Sequence, residues 1–411
     1  MTVADVVVVG AGQAGIGVAA ALREQGFAGR VTVVGREEHA PYERPPLSKS
    51  YLGATPVDER HLGLRAGGWY ADRGIVLRLG EEVREIDRTA AVVVLGSGDR
   101  LPYDHLVLAT GTRARTLPIE GGDLDGVVVL RGLDDARLLR RHLDRARTVL
   151  AVGAGFIGLE VAAAAHQRGV RPVVLDVASR VMERAVTSTT SRFFADAHRA
   201  QGTDLRLRTG VGALRGRHGL VTSAVTTDGA EIQADLVVVA VGVVPDTALA
   251  RAAGLRTDDG VVVDAHLRTS DPAISAVGDC ARFPEPVSGR SARLESVQAA
   301  TDHARCVAAR LAGRPEPYAA VPWFWTHQGP LKLQIAGLGG DLDREVVRGD
   351  PAQGRFSVFG FRDGRLATVE SVGRPADHVA ARRLLAAGAG PTPDQAADPA
   401  VDLKALAAVA P

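Results

Sequence analysis

Glycines spaced for anion binding occur twice in the chain, as Gly10-Ala-Gly12-Gln-Ala-Gly15 and again as Gly153-Ala-Gly155-Phe-Ile-Gly158. In each copy the first glycine permits a tight turn, the second lets backbone amides approach a pyrophosphate, and the third lets a helix pack closely on a strand. The phosphate charge then rests on the positive end of that helix. One such pattern is weak evidence, because Gly-rich turns are common. Two of them, each between an apolar run and an alanine-rich segment, indicate two dinucleotides held by one polypeptide. Glu37 follows Gly15 by 22 residues, near the spacing of about 20 at which a carboxylate meets ribose hydroxyls. A solvated loop glutamate is the alternative there.

Strand-turn-helix units must position these glycines. Residues 6–9 read as a buried parallel strand and 14–25 as the helix returning over the sheet; 148–152 and 159–168 repeat the order. Residues 31–34 supply a second strand to the first sheet. The Pro-rich stretch 40–56, with Ala40-Pro-Tyr-Glu-Arg-Pro-Pro-Leu-Ser-Lys49, reads as a stiff, extended loop. Short strands at 90–95 and 103–108 lead to a linker at Ala109-Thr110-Gly111. A second nucleotide unit closes near 237–246, after which a strand and turn at 274–279 and a helix at 294–311 return to the first. One domain is thus split by another.

The fold class read from this order is α/β. It comprises two Rossmann-like dinucleotide-binding domains, the first over 1–114 and 246–318 and the second over 115–245, with a C-terminal α+β domain over 319–411. That last domain carries two of the three tryptophans, Trp323 and Trp325, and alternating strands at 332–335 and 356–361. The tail from Gly388, rich in Ala, Pro and Gly, is expected to be poorly ordered.

Composition narrows the class of function. At 411 residues the chain needs more than one core, and its 46% hydrophobic and 24% charged content is that of an ordinary globular protein. A net charge of +1 gives no global pull toward nucleic acid or an anionic membrane. No apolar run reaches the roughly 18 to 20 residues of a membrane span, and a cytoplasmic protein is expected. Cys280 and Cys306 are the only cysteines, which excludes a disulfide framework, a zinc cluster and a CxxC redox motif; no metal site is expected.

Taken together, Val9 to Gly15, Arg44-Pro-Pro-Leu-Ser-Lys49, Ala109-Thr-Gly111, Gly153 to Glu160, Val241 to Pro245, Ala276-Val-Gly-Asp279, Arg293-Leu-Glu-Ser296 and Pro322-Trp-Phe-Trp325 carry a resemblance over nearly the whole chain. The sequence resembles the FAD-dependent, NADH-dependent ferredoxin reductases of bacterial oxygenase systems, which are glutathione-reductase-like flavoproteins. The resemblance implies that the first fingerprint binds FAD and the second NADH. Gly10, Gly12, Gly15 and Glu37 would hold the FAD adenosine and pyrophosphate, and Asp279 the ribityl-phosphate region. Arg44 and Pro45 would lie along the flavin cofactor, with Thr110, Gly111, Val297 and Trp325 completing the FAD set. Lys49 would stand at the flavin N5 edge, paired with Glu160; two unrelated surface charges are the alternative. Gly153, Gly155, Ile157, Gly158, Asp176, Arg184 and Gly242 would hold NADH.

Asp176 ends the strand 172–175, 18 residues after Gly158, where an acid accepts from the adenosine ribose and repels a 2′-phosphate. NADH is therefore expected over NADPH, although Arg180 and Arg184 soften that preference. The family commonly has Asp where this chain has His327, which could tune the flavin, affect docking, or satisfy a loop hydrogen bond. Trp323 and Trp325 could border the flavin or simply pack.

The chemistry implied is hydride transfer from nicotinamide C4 to flavin N5, followed by release of single electrons to a 2Fe-2S ferredoxin feeding a haem monooxygenase or ring-hydroxylating dioxygenase. No reactive cysteine stands at any of the positions used by disulfide reductases, NADH oxidases or thioredoxin reductases, so electrons leave to a separate acceptor. A rubredoxin or a quinone remains open as that acceptor. So does a different class of function, an NAD(H)-sensing flavoprotein of the apoptosis-inducing-factor-like type. Ferredoxins are usually acidic, and Arg310, Arg314 and Lys332 are the candidate docking cations.

Overall fold

A computed structural model describes residues 3–285 and 289–408. The chain divides into two units. The first takes the chain up to Glu43, Arg60–Arg113 and Val244–Pro322; the second takes Arg44–Glu59, Ala114–Val243 and the chain from Trp323 onward.

The first unit is built on a five-stranded parallel sheet in the order Ile274–Ala276, His105–Leu108, Asp5–Val9, Arg30–Gly35, Ile75–Leu79. Four consecutive valines, Val6 to Val9, are all buried, as a central strand with both faces covered requires. The helices Gln13–Glu24 and Val297–Leu311 pack so closely that a Cβ on Gly17 would lie 3.0 Å from Ala304 Cβ. The second helix starts three residues later than its apolar pattern suggests. Ser296 sets the start, because its hydroxyl accepts from the Ala299 amide at 3.0 Å. The unit also holds a small antiparallel sheet, Val83–Asp87, Val92–Leu95 and Arg100–Pro102.

The second unit repeats the parallel plan in the order Asp204–Leu207, Arg171–Asp176, Thr148–Val152, Leu236–Val239, Val127–Val129. Its fingerprint helix is Phe156–Gln167. A five-stranded antiparallel sheet follows, ordered Trp323–Gln328, Leu331–Gly337, Arg365–Val372, Arg355–Arg362, Arg344–Asp350, with the helix Pro375–Ala386 after it. The α/β class read from the sequence is the class observed.

Residues 44–59 fold with this second unit. The paired prolines do not hold the segment extended: Pro45–Ser48 is a 3-10 turn, for which the fixed φ of proline at the first position is already suited. The segment is fastened at both ends. Arg44 donates to the Arg131 carbonyl at 2.7 Å, and Arg168 to the Gly53 carbonyl at 3.0 Å. The Tyr51 hydroxyl donates to Glu59 at 2.5 Å, Arg137 pairs with Glu59 at 2.6 Å, and the Arg140 guanidinium lies 4.6 Å from the centre of the Tyr51 ring.

The tail also departs from expectation. Beyond Gly388 the chain forms Pro393–Ala397, capped by Thr392, and Leu403–Ala408, with Ala396 and Leu403 buried. Arg348, on the strand Arg344–Asp350 and nearly buried, explains this. It donates to the carbonyls of Ala396, Asp398, Pro399 and Val401. Composition does not show such a clasp, since one distant arginine supplies it. Arg348→Met is expected to cost about 2 kcal/mol of stability in chemical unfolding; an unchanged midpoint would mean that Ala396 and Leu403 hold the tail by packing alone.

Candidate functional site

The two fingerprints have the same local geometry, one in each unit. Gly10 and Gly153 adopt φ of +115° and +111°. A Cβ on Gly10 would lie 2.1 Å from the Ala109 carbonyl oxygen, and one on Gly153 2.4 Å from that of Ala240. Gly15 and Gly158 are equally closed, each with a backbone oxygen within 1.9 Å of where a Cβ would be. The middle glycines differ. Around Gly12 and Gly155 no heavy atom comes within 4 Å of that position. Each of these two also starts its helix, with no side-chain cap and no acidic residue in the first turn. Open space therefore meets uncapped, positively polarised amides, and both cradles fit a dinucleotide phosphate.

The acids near the cradles are held in place. Glu37 accepts from the Tyr42 hydroxyl at 2.5 Å. Asp176 accepts from the Ala154 amide at 2.6 Å through one oxygen and from the Ala178 amide at 2.8 Å through the other. This fixes its carboxylate against the fingerprint turn while leaving lone pairs for a ribose hydroxyl. Arg180 is committed elsewhere, donating to the carbonyls of Val186 at 2.6 Å and Glu183 at 2.7 Å. Of the two arginines expected to oppose Asp176, only Arg184 is exposed. A Cβ on Gly242 would lie 2.9 Å from that of Arg115, so the backbone there is closely covered, and Ile157 is half-buried in the first turn of the fingerprint helix.

In the first unit, the Thr110 hydroxyl donates to the Asp246 carbonyl at 2.7 Å, and the Asp246 amide to Gly111 at 2.9 Å. Asp279 lies in the 3-10 turn Gly278–Cys280. That turn is fixed by the Gly278 amide donating to His303 Nδ1 at 3.1 Å, and it sits so near the fingerprint helix that a Cβ on Gly278 would fall 2.7 Å from Ala14 Cβ. Val297 opens the helix capped by Ser296.

The remaining candidates belong to the second unit, where the structure does bring Lys49 and Glu160 together. Lys49 Nζ lies 2.8 Å from Glu160 Oε2; the carboxylate side chain is 3% exposed and the lysine 18%. Glu160 also accepts from the Ser48 hydroxyl, and its other oxygen from Thr326 Oγ1 at 2.5 Å. Lys49 reaches the Pro45 carbonyl at 3.2 Å. Ser48 and Thr326 were not anticipated, although Ser48 stands next to Lys49 in the Pro-Pro-Leu-Ser-Lys run. His327 follows Thr326 and stands opposite Lys332 in the strand pair. Burial and the neighbouring Lys332 and Lys49 hold its pKa below the usual histidine value, partly offset by Glu160. The Trp325 ring lies 5.4 Å from that of Trp323, which also carries the Arg382 guanidinium 4.5 Å from its centre.

Arg310 is not the surface cation that its position suggested. It is half-buried in the first unit and donates to Ser275 Oγ at 2.6 Å, beside the buried His105. Reversing it would test that packing and not docking. Arg314 and Lys332 are exposed. Cys280 is buried and burial raises its pKa; Cys306 is pushed up to about 11, chiefly by burial. Among the described residues no His, Cys, Asp and Glu cluster could hold a metal ion, and no helix is long and apolar enough to cross a membrane.

Known proteins are similar to this chain over nearly its whole length. A family described as "Pyridine nucleotide-disulphide oxidoreductase" matches residues 4–304, and one described as "Reductase C-terminal" matches residues 323–407. Rhodocoxin reductase of Rhodococcus erythropolis is 47% identical over 97% of this chain and 93% of that protein. The crystal structure of the ferredoxin reductase for the CYP199A2 system from Rhodopseudomonas palustris matches with a TM-score of 0.96 at 44% identity, covering 98% of this chain and all of that one. The reductase in a covalent putidaredoxin reductase–putidaredoxin complex matches with a TM-score of 0.95 at 40% identity, covering 99% of both.

Proposed function

The chain belongs to the pyridine nucleotide-disulphide oxidoreductase family, in its ferredoxin reductase branch, and on that premise we propose that it carries electrons from NADH through FAD to a 2Fe-2S ferredoxin serving a haem monooxygenase or a ring-hydroxylating dioxygenase. One observation carries the reading: two open glycine cradles, at Gly12 and Gly155, in a chain whose two cysteines are free and neither of which favours a thiolate. Bound FAD supplies the conversion of a two-electron hydride into single electrons.

The chain's own residues bind, orient and tune. The Gly12 cradle takes the FAD phosphates and the Gly155 cradle those of NADH. Asp279, in a turn fixed by His303, serves the ribityl-phosphate region, and Asp176 takes the NADH ribose and disfavours a 2′-phosphate. With Arg180 tied to carbonyls, a preference for NADH over NADPH of about 100-fold in kcat/KM, ~2.7 kcal/mol, follows. Lys49 serves the flavin N5 edge, where a cation favours added electron density, and Glu160 orients it. With no thiol positioned for exchange, the electrons go to a separate protein. The reading places the protein in the cytoplasm with its NADH supply.

Arg314 and Lys332 are the proposed docking cations. Arg314→Glu is expected to raise the KM for an acidic ferredoxin severalfold, about 1 kcal/mol, and to leave ferricyanide reduction unchanged; unchanged ferredoxin kinetics would remove Arg314 from the interface.

Anaerobic stopped-flow mixing of the protein with NADH tests the whole. Rapid flavin bleaching, with cytochrome c reduction only when a 2Fe-2S ferredoxin is added, is the expected result. A slow, long-lived reduced complex that ignores ferredoxin would instead mark a redox sensor, and a colourless protein that takes up no flavin would overturn the reading.

A further inference from the structure

Glu160 is nearly buried and accepts from three donors, only one of them charged. Lys49 Nζ and Ser48 Oγ share Oε2, while Thr326 Oγ1 takes Oε1 at 2.5 Å. The two hydroxyls come from different elements, the 3-10 turn Pro45–Ser48 and the strand Trp323–Gln328, and both are buried. The lysine is the more accessible of these partners, with 18% of its side chain exposed.

This asymmetry matters because Lys49 has two tasks. Its ammonium is drawn to Glu160, and in the reading above it also answers negative charge arriving on a cofactor. If the lysine were the carboxylate's only partner, turning it away would strand an uncompensated charge in the interior, and the pair would be locked. Neutral donors on both oxygens lessen that obstacle: Thr326 bonds Oε1 apart from the lysine, and Ser48, which itself accepts from Lys49 Nζ at 3.5 Å, bonds Oε2 beside it. The strand that brings Thr326 is itself held. Two residues on, and so on the same face, buried Gln328 contacts His198 Nε2 at 2.8 Å and Met182 Sδ at 3.5 Å.

We infer that Ser48 and Thr326 are positioning residues for the redox reaction, reserve donors that hold the Glu160 carboxylate so that Lys49 can share its charge with a bound cofactor. The inference rests on the assignment of Lys49 to the flavin.

Thr326→Val removes the hydroxyl and keeps the shape, Thr326→Ser restores it, and Ser48→Ala tests the opposite oxygen. In FAD-loaded protein, Thr326→Val should lower the limiting rate of flavin reduction by NADH about tenfold while the NADH dissociation constant, taken from the same curve, stays within about twofold. Thr326→Ser should return to within about twofold of the parent rate. A lysine held more tightly by Glu160 should also make the flavin midpoint potential more negative, by about 30 mV for a tenfold effect in a two-electron couple. Parent rate and potential in both Thr326→Val and Ser48→Ala would overturn the inference, as would a Thr326→Ser variant no better than the valine. Those outcomes in a protein that NADH reduces leave the reductase reading standing. A parent protein that NADH does not reduce overturns both.

Discussion

Acidification from neutrality to about pH 4.5 is expected to unfold the protein, because both units bury histidines that take up protons on unfolding. Four histidines are buried, and burial lowers the pKa of each, His198 among them. Burial, with the Arg310 charge adding to it, brings His105 down to about 3; burial alone brings His303 to about 3; burial and Arg382 bring His378 to about 4. In the unfolded chain each titrates near 6.5. The folded state therefore binds fewer protons than the unfolded one between these limits, and stability rises with pH across that window and falls as pH drops through it. At pH 4.5 His105, His303 and His378 each withhold about 2 to 3 kcal/mol, and together they rival the roughly 5 to 15 kcal/mol that holds a domain folded.

Carboxylates modify the slope in both directions. Glu59, held down to about 2 by Arg137 and Tyr51, adds stability above the usual carboxylate range that is lost as pH falls toward its folded value. Glu370, pushed up by burial, works the other way: its contribution is largest at low pH and declines as pH rises. His105 and His303 belong to the first unit, His198 and His378 to the second. His303 also accepts from the Gly278 amide, so its protonation removes the acceptor that fixes the turn carrying Asp279. Flavin fluorescence should consequently rise before the far-UV signal is fully lost. A protein that keeps its flavin and its circular dichroism down to pH 3.5 would sink this account.

Valine at the two middle glycines is expected to separate the two cofactors. Gly12 and Gly155 have extended backbone, with φ of −84° and −77°, and no heavy atom within 4 Å of an added Cβ. The fold should accept either side chain, whose bulk then stands where a phosphate would approach the helix amides. Gly155→Val should raise the KM for NADH about 100-fold or more, roughly 3 kcal/mol, in a protein that still contains FAD. Gly12→Val should yield a folded but colourless protein. Gly153→Val is the contrast: with φ of +111° and the Ala240 oxygen 2.4 Å from its Cβ, it should not fold. FAD content per chain, NADH kinetics and thermal unfolding distinguish the three, and normal NADH kinetics in Gly155→Val would refute the assignment of that cradle.

What could be read from the sequence was local. A turn, a strand and a helix within about 20 residues declare themselves through glycine spacing and apolar runs, because the constraint and the residues answering it are neighbours. What could not be read depends on distant partners. Ser48 and Thr326 meet only through Glu160, and Arg348 orders a tail some fifty residues further on. Arg310 has the charge of a docking residue, yet whether such a side chain faces solvent or turns inward to Ser275 is decided by the strand Ile274–Ala276 being its neighbour. The 3-10 turn at Pro45–Ser48 is ambiguous in sequence for a different reason: proline's fixed φ suits both an extended segment and a tight turn, and its neighbours decide between them.

The edge strand Ile274–Ala276 closes a sheet whose other members all lie within the first 108 residues. During synthesis that sheet must wait while the ribosome delivers more than 160 further residues, most of them destined for the second unit. Until then the strand His105–Leu108 offers an unpaired border of buried-type residues, the kind of template that invites aggregation. Heterologous production should therefore gain more from slow translation or chaperone supply than from any substitution on the finished surface.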